Sequence, residues 1–223
     1  MPTLIKIGGS LTPDSALKIH RLLKNSKTKE KIFFFPGGGL FADLIRKYRK
    51  EVALRDFTTH KMALAALDQN AFLLADVFQC PCLTRISEIK KNKDSLVVIA
   101  PYRLLTEKWP FAGYNLNIDV FSSDSSALYL AHLLKARFVI ATDVDGIFLK
   151  DPVVFKKDLK LLPILSAQDL KKIKRGGPLD ETVADLMIKY KLDTWVVNGK
   201  YPQRILEIIR HNSVSKGTFV RYA

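Results

Sequence analysis

Cysteine is almost absent: the 223-residue chain has two, Cys80 and Cys82, on either side of Pro81. A C-P-C pair without a second pair completes no zinc site and offers no disulfide framework. The expectation is two reduced thiols near the end of a buried segment. With no N-x-S/T sequon either, the cytoplasm is the natural compartment. No apolar run approaches the roughly 20 residues of a membrane span. Met1 to Gly9 does not read as a signal peptide, because its short apolar piece runs straight into Gly8-Gly9. Internal repeats, low-complexity stretches and linkers are also missing, so one domain over residues 1–223 is expected. Acidic residues are few: 22 Asp+Glu against 36 Lys+Arg give a formal charge of +14. Such an excess draws anions, whether nucleic acid, acidic membrane or phosphorylated small molecules. The basic residues are scattered, with no arginine-rich tail and no aromatic-interleaved RNA motif, which disfavours nucleic acid.

The usual nucleotide signatures are missing as well. There is no G-x-x-x-x-G-K-[ST] and no G-x-G-x-x-G. Leu54-Arg55-Asp56 imitates part of a protein-kinase catalytic loop, but Lys61 stands where that loop needs asparagine, so the match reads as chance.

The apolar pattern that is present alternates short β-like runs with longer helical ones, which argues an α/β fold with a mainly parallel sheet. Strands are expected at Thr3 to Ile7, Lys31 to Phe35, Leu96 to Ala100, Phe138 to Thr142, Trp195 to Asn198 and Thr218 to Arg221. The three phenylalanines Phe33, Phe34 and Phe35 imply burial on both sheet faces. Helices are expected at Asp14 to Leu23, Phe41 to Lys50, Phe57 to Phe78, Ser123 to Lys135, Ala167 to Lys174 and Glu181 to Tyr190, with another opened by Pro202. Ser122 or Ser123 suits the N-cap of the fourth helix.

Two strands end in glycine clusters. Ile5-Lys6-Ile7 runs into Gly8-Gly9-Ser10, and Phe33-Phe34-Phe35 runs into Pro36-Gly37-Gly38-Gly39. Ligands of an open parallel sheet sit beyond the carboxyl ends of its strands. Glycines there let backbone N–H groups face an anion, and a following helix N-terminus adds a favourable dipole. Two clusters, with Lys6 two residues before the first, suit two phosphate groups. A third cluster holds Ser122-Ser123-Asp124-Ser125 at a helix start and Thr142-Asp143-Val144-Asp145-Gly146 after a strand.

The ordered series K-x-G-G-S, P-G-G-G, S-x-D-S-x-A-L-x-L-A and T-D-V-D-G-I-F resembles the amino-acid kinase superfamily, which includes acetylglutamate, uridylate, aspartate and isopentenyl phosphate kinases. The resemblance spans nearly the whole chain. It implies a three-layer α/β/α sandwich whose N-terminal half binds the phosphoryl acceptor and whose residues from about 120 to 223 bind ATP. The run from Gly37 through Arg46, the helix from Thr59 through Gln69, and Val197-Asn198-Gly199-Lys200-Tyr201-Pro202-Gln203-Arg204 look like the small aspartokinase-like branch of [5-(aminomethyl)furan-3-yl]methyl phosphate kinases in methanofuran biosynthesis. Those enzymes turn a monophosphate into a diphosphate.

From the resemblance, Lys6 is expected at the transferring phosphoryl group, with Asp124 orienting it or a Mg2+-bound water. Gly8, Gly9 and Ser10 would cradle ATP phosphates, and Thr142, Asp143, Asp145, Gly146 and Phe148 would line the nucleotide side. Gly37, Gly38 and Gly39 would hold the acceptor phosphate, with Arg46 and His60 near it. Asp43 and Asp68 are the candidates for an acceptor ammonium. ATP and Mg2+ are the implied cofactors, no side-chain metal site is expected, and the resemblance favours a homo-oligomer. Two departures stand out. Glu181 occupies the place where many superfamily members carry a second lysine, leaving Lys174, Arg175 or Mg2+ to take its role. Asp43 occupies the place of the substrate histidine of isopentenyl phosphate kinases, although an apolar tail could lie along the Ala/Leu-rich helix from Met62 to Leu74. A nucleoside monophosphate acceptor, a non-catalytic nucleotide or oxyanion store, and an RNA-associated basic protein are the competing readings.

Overall fold

The computed structural model describes residues 1–26, 28–107, 122–150, 159–173, 179 and 181–223. Lys174, Arg175 and the Gly176-Gly177 pair, together with the side chain of Glu181, lie outside the described residues.

In chain order the strands are β1 (Thr3–Ile7), β2 (Ile32–Pro36), β3 (Cys82–Leu83), β4 (Leu96–Ile99), β5 (Arg137–Thr142), β6 (Ile164–Ser166), β7 (Thr194–Asn198) and β8 (Thr218–Arg221). The helices are α1 (Asp14–Asn25), α2 (Gly39–Val52), α3 (Asp56–Phe78), α4 (Ile86–Lys91), α5 (Pro101–Glu107), α6 (Ser123–Leu133), α7 (Ala167–Lys172), α8 (Glu181–Tyr190) and α9 (Gln203–His211). The eight strands form one sheet in the order β3-β4-β2-β1-β5-β7-β8-β6. Every pairing is parallel except β7 with β8. The expected three-layer α/β/α architecture is what the chain adopts.

Period-two alternation along the central strands feeds two cores. Leu4, Phe33, Phe35, Val97, Phe138 and Ile140 face one layer, built from α4, α5, α6, α7, α8 and the first half of α3. Ile5, Ile7, Phe34, Val98, Val139 and Val197 face the other, built from α1, α9 and the second half of α3. The Phe triplet therefore splits between layers, as two-sided burial requires. Phe34 stacks on Phe78 of α3 with ring centroids 4.0 Å apart. Burial of such a side chain contributes about 1.5–3 kcal/mol.

The structure adds short elements that the sequence pattern does not announce: β3, α4, α5 and β6. Pro101 does not only stop a strand; it is the first residue of α5, where its missing N–H costs nothing. Helix α2 begins two residues earlier than the apolar pattern suggests, at Gly39. Pro202 sits at the N-cap of α9 rather than inside its first turn.

For position, β1 is the decisive strand. It lies between β2 and β5, with α1, which leads to β2, packed on one face of the sheet and α6, which precedes β5, on the other. The carboxyl ends of β1, β2 and β5 thus converge where the strand order reverses, the place where open α/β sheets bind ligands.

Candidate active site

The two glycine loops touch through their backbones. Gly37 N–H donates to Ile7 O at 2.8 Å, and Gly8 N–H donates to Ala141 O at 2.8 Å, tying the loop after β1 to both neighbouring strands. A Cβ on Gly9 would lie 2.1 Å from Gly39 N, and one on Gly37 would lie 2.5 Å from Gly9 N. No side chain fits at either position without moving main chain. Gly39 also has φ of +52°, a conformation that favours glycine. Asn70 of α3, buried on an otherwise apolar helix face, donates to Gly37 O at 2.7 Å and fixes the second loop from behind. Sequence reasoning missed Asn70; a lone amide on the buried face of α3 was its only signal.

A buried ion pair joins β1 to α6. Lys6 alternates with Ile5 and Ile7, so it points to the face that α6 covers. Its Nζ lies 2.8 Å from Asp124 Oδ1, with side chains only 11% and 9% exposed. The contact is a charge contact, without hydrogen-bond alignment: Oδ1 is buried and has no hydrogen-bond partner. Asp124 is held by its place in the first turn of α6. Ser122 caps that helix, its Oγ accepting from the N–H groups of Asp124 at 3.0 Å and Ser125 at 3.2 Å. Burying a lysine is costly unless it is paired, and Asp124 supplies that pairing two residues before the first glycine loop.

The other expected residues divide. Ser10 is exposed in the short 3-10 turn Gly9–Leu11 that follows β1. Asp143 is exposed and accepts a 3.3 Å bond from Thr142 Oγ1. Phe148 is half-buried and bridges to Leu161. Asp145 is held by three donors. Its Oδ1 accepts from Arg204 at 2.6 Å and from Asn198 at 3.1 Å, and Lys216 lies 2.7 Å from Oδ2. Burial alone would push its carboxyl up, but these three donors outweigh it and hold the pKa at about 2. Gly146 has φ of +150°, and a Cβ there would lie 2.6 Å from Thr218 Oγ1; it is a turn glycine under β8.

Beside the second glycine loop, a cavity of about 330 Å³ opens between α2, α3 and the start of α6. Its long wall is one stripe of α3 at helical spacing: Asp56, Thr59, His60, Ala63, Leu64 and Leu67. Gly38, Ala42, Arg46 and Arg49 face it from the second glycine loop and α2, and Ser122, Ser123 and Ser126 close one end. Arg46 and His60 thus reach the cavity. Burial lowers the His60 pKa below its ordinary value, which favours the neutral imidazole. Asp43 is exposed, is not among the lining residues and pairs with Arg46. Asp68 is absent from the lining too; its Oδ1 accepts the Tyr102 N–H at 2.8 Å at the start of α5. Burial raises its pKa, partly offset by that bond. Asp56, which pairs with Arg49 at 2.6 Å, does line the cavity.

Cys80 and Cys82 are free and half-buried at the end of α3, in a separate surface depression. Burial pushes both thiols up to about 11, which leaves them protonated. Among the described residues no group of three His, Cys, Asp or Glu side chains could hold a metal ion, and no helix is long and apolar enough to cross a membrane.

Comparison with known proteins bears on this geometry. The sequence pattern of the amino acid kinase family matches residues 1–198. The [5-(aminomethyl)furan-3-yl]methyl phosphate kinase of Methanocaldococcus jannaschii is 34% identical over 220 residues, covering 96% of this chain and 96% of that protein. The uridylate kinase of Archaeoglobus fulgidus is 25% identical over 228 residues, covering 96% of this chain and 98% of that protein. The crystal structure of uridylate kinase from A. fulgidus superposes with a TM-score of 0.76 at 22% identity, covering 99% of this chain and 100% of that one. That last likeness speaks for the fold.

Proposed function

Because the chain belongs to the amino acid kinase family, we propose that this phosphotransferase moves the γ-phosphoryl group of ATP onto a phosphate monoester, [5-(aminomethyl)furan-3-yl]methyl phosphate, in methanofuran biosynthesis. The observation that carries the reading is the backbone contact between the two glycine loops, with Lys6 beside it. Two anion cradles that touch bring a donor and an acceptor phosphate within reaction distance.

A phosphate monoester carries close to two negative charges at neutral pH, since its second pKa is about 6. Its oxygen is already a nucleophile, so no general base is needed. The difficulty is to hold one polyanion in line with another, and catalysis becomes positioning plus charge neutralisation. In this reading Gly8, Gly9 and Ser10 receive the ATP phosphates, and Gly37, Gly38 and Gly39 receive the acceptor phosphate. The ammonium of Lys6 neutralises charge on the transferring group. Asp124 is a positioning residue that fixes the Lys6 ammonium. The Asp124 carboxylate would also suit a water of a bound Mg2+. When bound with ATP, Mg2+ would supply further charge neutralisation at the phosphates. Thr142, Asp143 and Phe148 belong to the nucleotide side of the proposal, with residues from about 120 onward as the nucleotide half of a single domain. Homo-oligomer formation is part of it too, and the exposed residues Leu40, Leu44, Tyr48 and Val52, spaced four apart on α2, supply a face for it; sedimentation velocity tests this.

The test is ADP release with Mg-ATP and a panel of phosphate monoesters: the aminomethyl-furan phosphate, isopentenyl phosphate and UMP. Turnover confined to the furan is expected. Turnover confined to another acceptor would discard the pathway, and ATP binding with no turnover on any acceptor would make the chain a nucleotide-binding protein.

A further inference from the structure

We propose that Asp56 is the residue that selects an acceptor carrying an ammonium at the end opposite its phosphate. The inference rests on the acceptor class just proposed and goes beyond it by assigning the recognition to a residue that the sequence pattern dismissed.

A substrate with a dianion at one end and a cation at the other needs a site polarised the same way. The cavity beside the second glycine loop carries charge of both signs: Arg46 and Arg49 face it from α2, and Asp56 faces it from the far end of the α3 stripe. Its phosphate end is fixed by Gly38, since a Cβ on that residue would lie 3.9 Å from Leu67 Cδ2. From Leu67 the lining stripe of α3 runs back through Leu64, Ala63, His60 and Thr59 to Asp56. At 1.5 Å per residue that is about 16 Å along the helix axis. A five-membered ring with a one-carbon arm on each side, with a contact distance added at either end, spans most of that length. Leu67, Leu64 and Ala63 offer the ring an apolar wall. Burial favours the neutral form of His60, and the Arg49 charge at that end is already matched to Asp56.

Among the described residues Asp56 is the only carboxylate that lines this cavity. The two acids that the sequence favours are occupied elsewhere. Asp43 lies on the exposed side of α2 against Arg46, and Asp68 accepts the first free N–H of α5. Asp56 is paired with Arg49 across the α2–α3 hairpin, but that bond uses Oδ1 at 2.6 Å. A carboxylate accepts at both oxygens, so Oδ2 is left for a second donor. The Arg49–Asp56 pair therefore does two jobs at the cavity mouth: it joins the helices, and it holds Asp56 in one orientation without satisfying it.

The experiment compares two acceptors on the full chain with Mg-ATP: the aminomethyl-furan phosphate and its hydroxymethyl analogue, which keeps ring and phosphate but lacks the positive charge. Wild-type protein is expected to favour the amine in kcat/KM. In Asp56→Asn, KM for the amine should rise by about 10- to 100-fold, the range of a charge-assisted hydrogen bond. The hydroxymethyl acceptor and ATP should keep their KM within about threefold on the same basis. Asp56→Glu, which retains the charge, should recover part of the preference. Equal losses on both acceptors, or an undiminished amine preference in Asp56→Asn, would overturn the assignment. The acceptor class is read separately, from wild-type turnover: if wild-type protein ignores the amine and phosphorylates another monoester, the proposed function fails and this inference falls with it.

Discussion

Two clusters of charged residues sit at the same carboxyl edge of the sheet, and they are built on opposite plans. At the Asp145 cluster every carboxylate oxygen has a donor: Arg204 and Asn198 on Oδ1, Lys216 on Oδ2. These partners come from β7, α9 and the turn before β8, so the cluster staples the C-terminal part of the chain together. At the Lys6 junction the balance is deliberately incomplete. One cation meets one carboxylate, the contact lacks hydrogen-bond alignment, and the surrounding loops are glycine. A saturated cluster stabilises and has little left to offer a ligand. An unsaturated buried cluster costs stability, which is tolerated where function needs the open valence. Each cluster sets an aspartate against a basic side chain beside a strand end, so partner saturation separates the two better than residue type does.

The comparison breaks most sharply at Lys6. Lys6→Ala should lower kcat by about 10²–10³-fold, the usual range for loss of one preorganised charge-stabilising group. It also leaves Asp124 buried without a counter-charge, which costs about 3–5 kcal/mol. The double variant Lys6→Met/Asp124→Asn removes both charges and should recover most of that stability in urea titrations while kcat stays low. Recovery of turnover together with stability would make the pair structural, like Asp145.

The glycine junction comes next. Gly9→Ala puts a Cβ where the Gly39 main chain stands. It should cut kcat/KM by about 10²-fold through misplacement of the two cradles. Gly8→Ala meets Ala141 O at 3.1 Å and should cost far less. Steady-state kinetics on both variants, beside near-ultraviolet circular dichroism, distinguish a displaced site from an unfolded one.

At Asp145 the order of effects should invert. Asp145→Asn is expected to reduce stability by about 1–2 kcal/mol, a figure lowered for solvent screening at a partly exposed group. Activity per folded molecule should fall less than about tenfold, since the partners of Asp145 are protein groups. A larger loss of activity than of stability would move Asp145 into the nucleotide site.

The smallest effect is the most specific. The Asp145 carboxyl is held at about 2, below its ordinary value. A depressed carboxylate contributes stability that is fully present above its unfolded pKa of about 3.9 and disappears as the folded form takes up its proton. The stability difference between wild type and Asp145→Asn should therefore be constant above pH 5 and shrink between about pH 4 and pH 2. A difference that does not change over that window would mean that the ion cluster is not what lowers the pKa.

How far the sequence carried is instructive residue by residue. β1, β2 and β5 were readable because each is a compact apolar run ended by glycine or by an Asp-Gly turn, signals that are local in the chain. Their parallel order followed from the alternation with helices. β3 and β6 were hidden because two- and three-residue strands carry no period. α4 and α5 were hidden because six and seven residues give barely two turns. Candidate site residues divide along the same line. Gly9 and Gly37 stand out locally, and their motif order pointed to the family. Asp145 and Asp56 took their places from partners that no spacing reveals. Arg204 lies 59 residues from Asp145. Asp56 faces the cavity only because α2 and α3 fold back on each other, which turned a chance-looking Leu54-Arg55-Asp56 into part of a wall.

The most direct test of the central account is phosphorus NMR of the chain mixed with Mg-ATP and the aminomethyl-furan phosphate, run in parallel with Lys6→Ala. The account predicts that wild-type protein converts the acceptor signal into the coupled doublets of a diphosphate ester as ADP accumulates, and that Lys6→Ala binds ATP but forms that product at least about 10²-fold more slowly. Release of inorganic phosphate without a diphosphate ester, or equal product formation by Lys6→Ala, would contradict it.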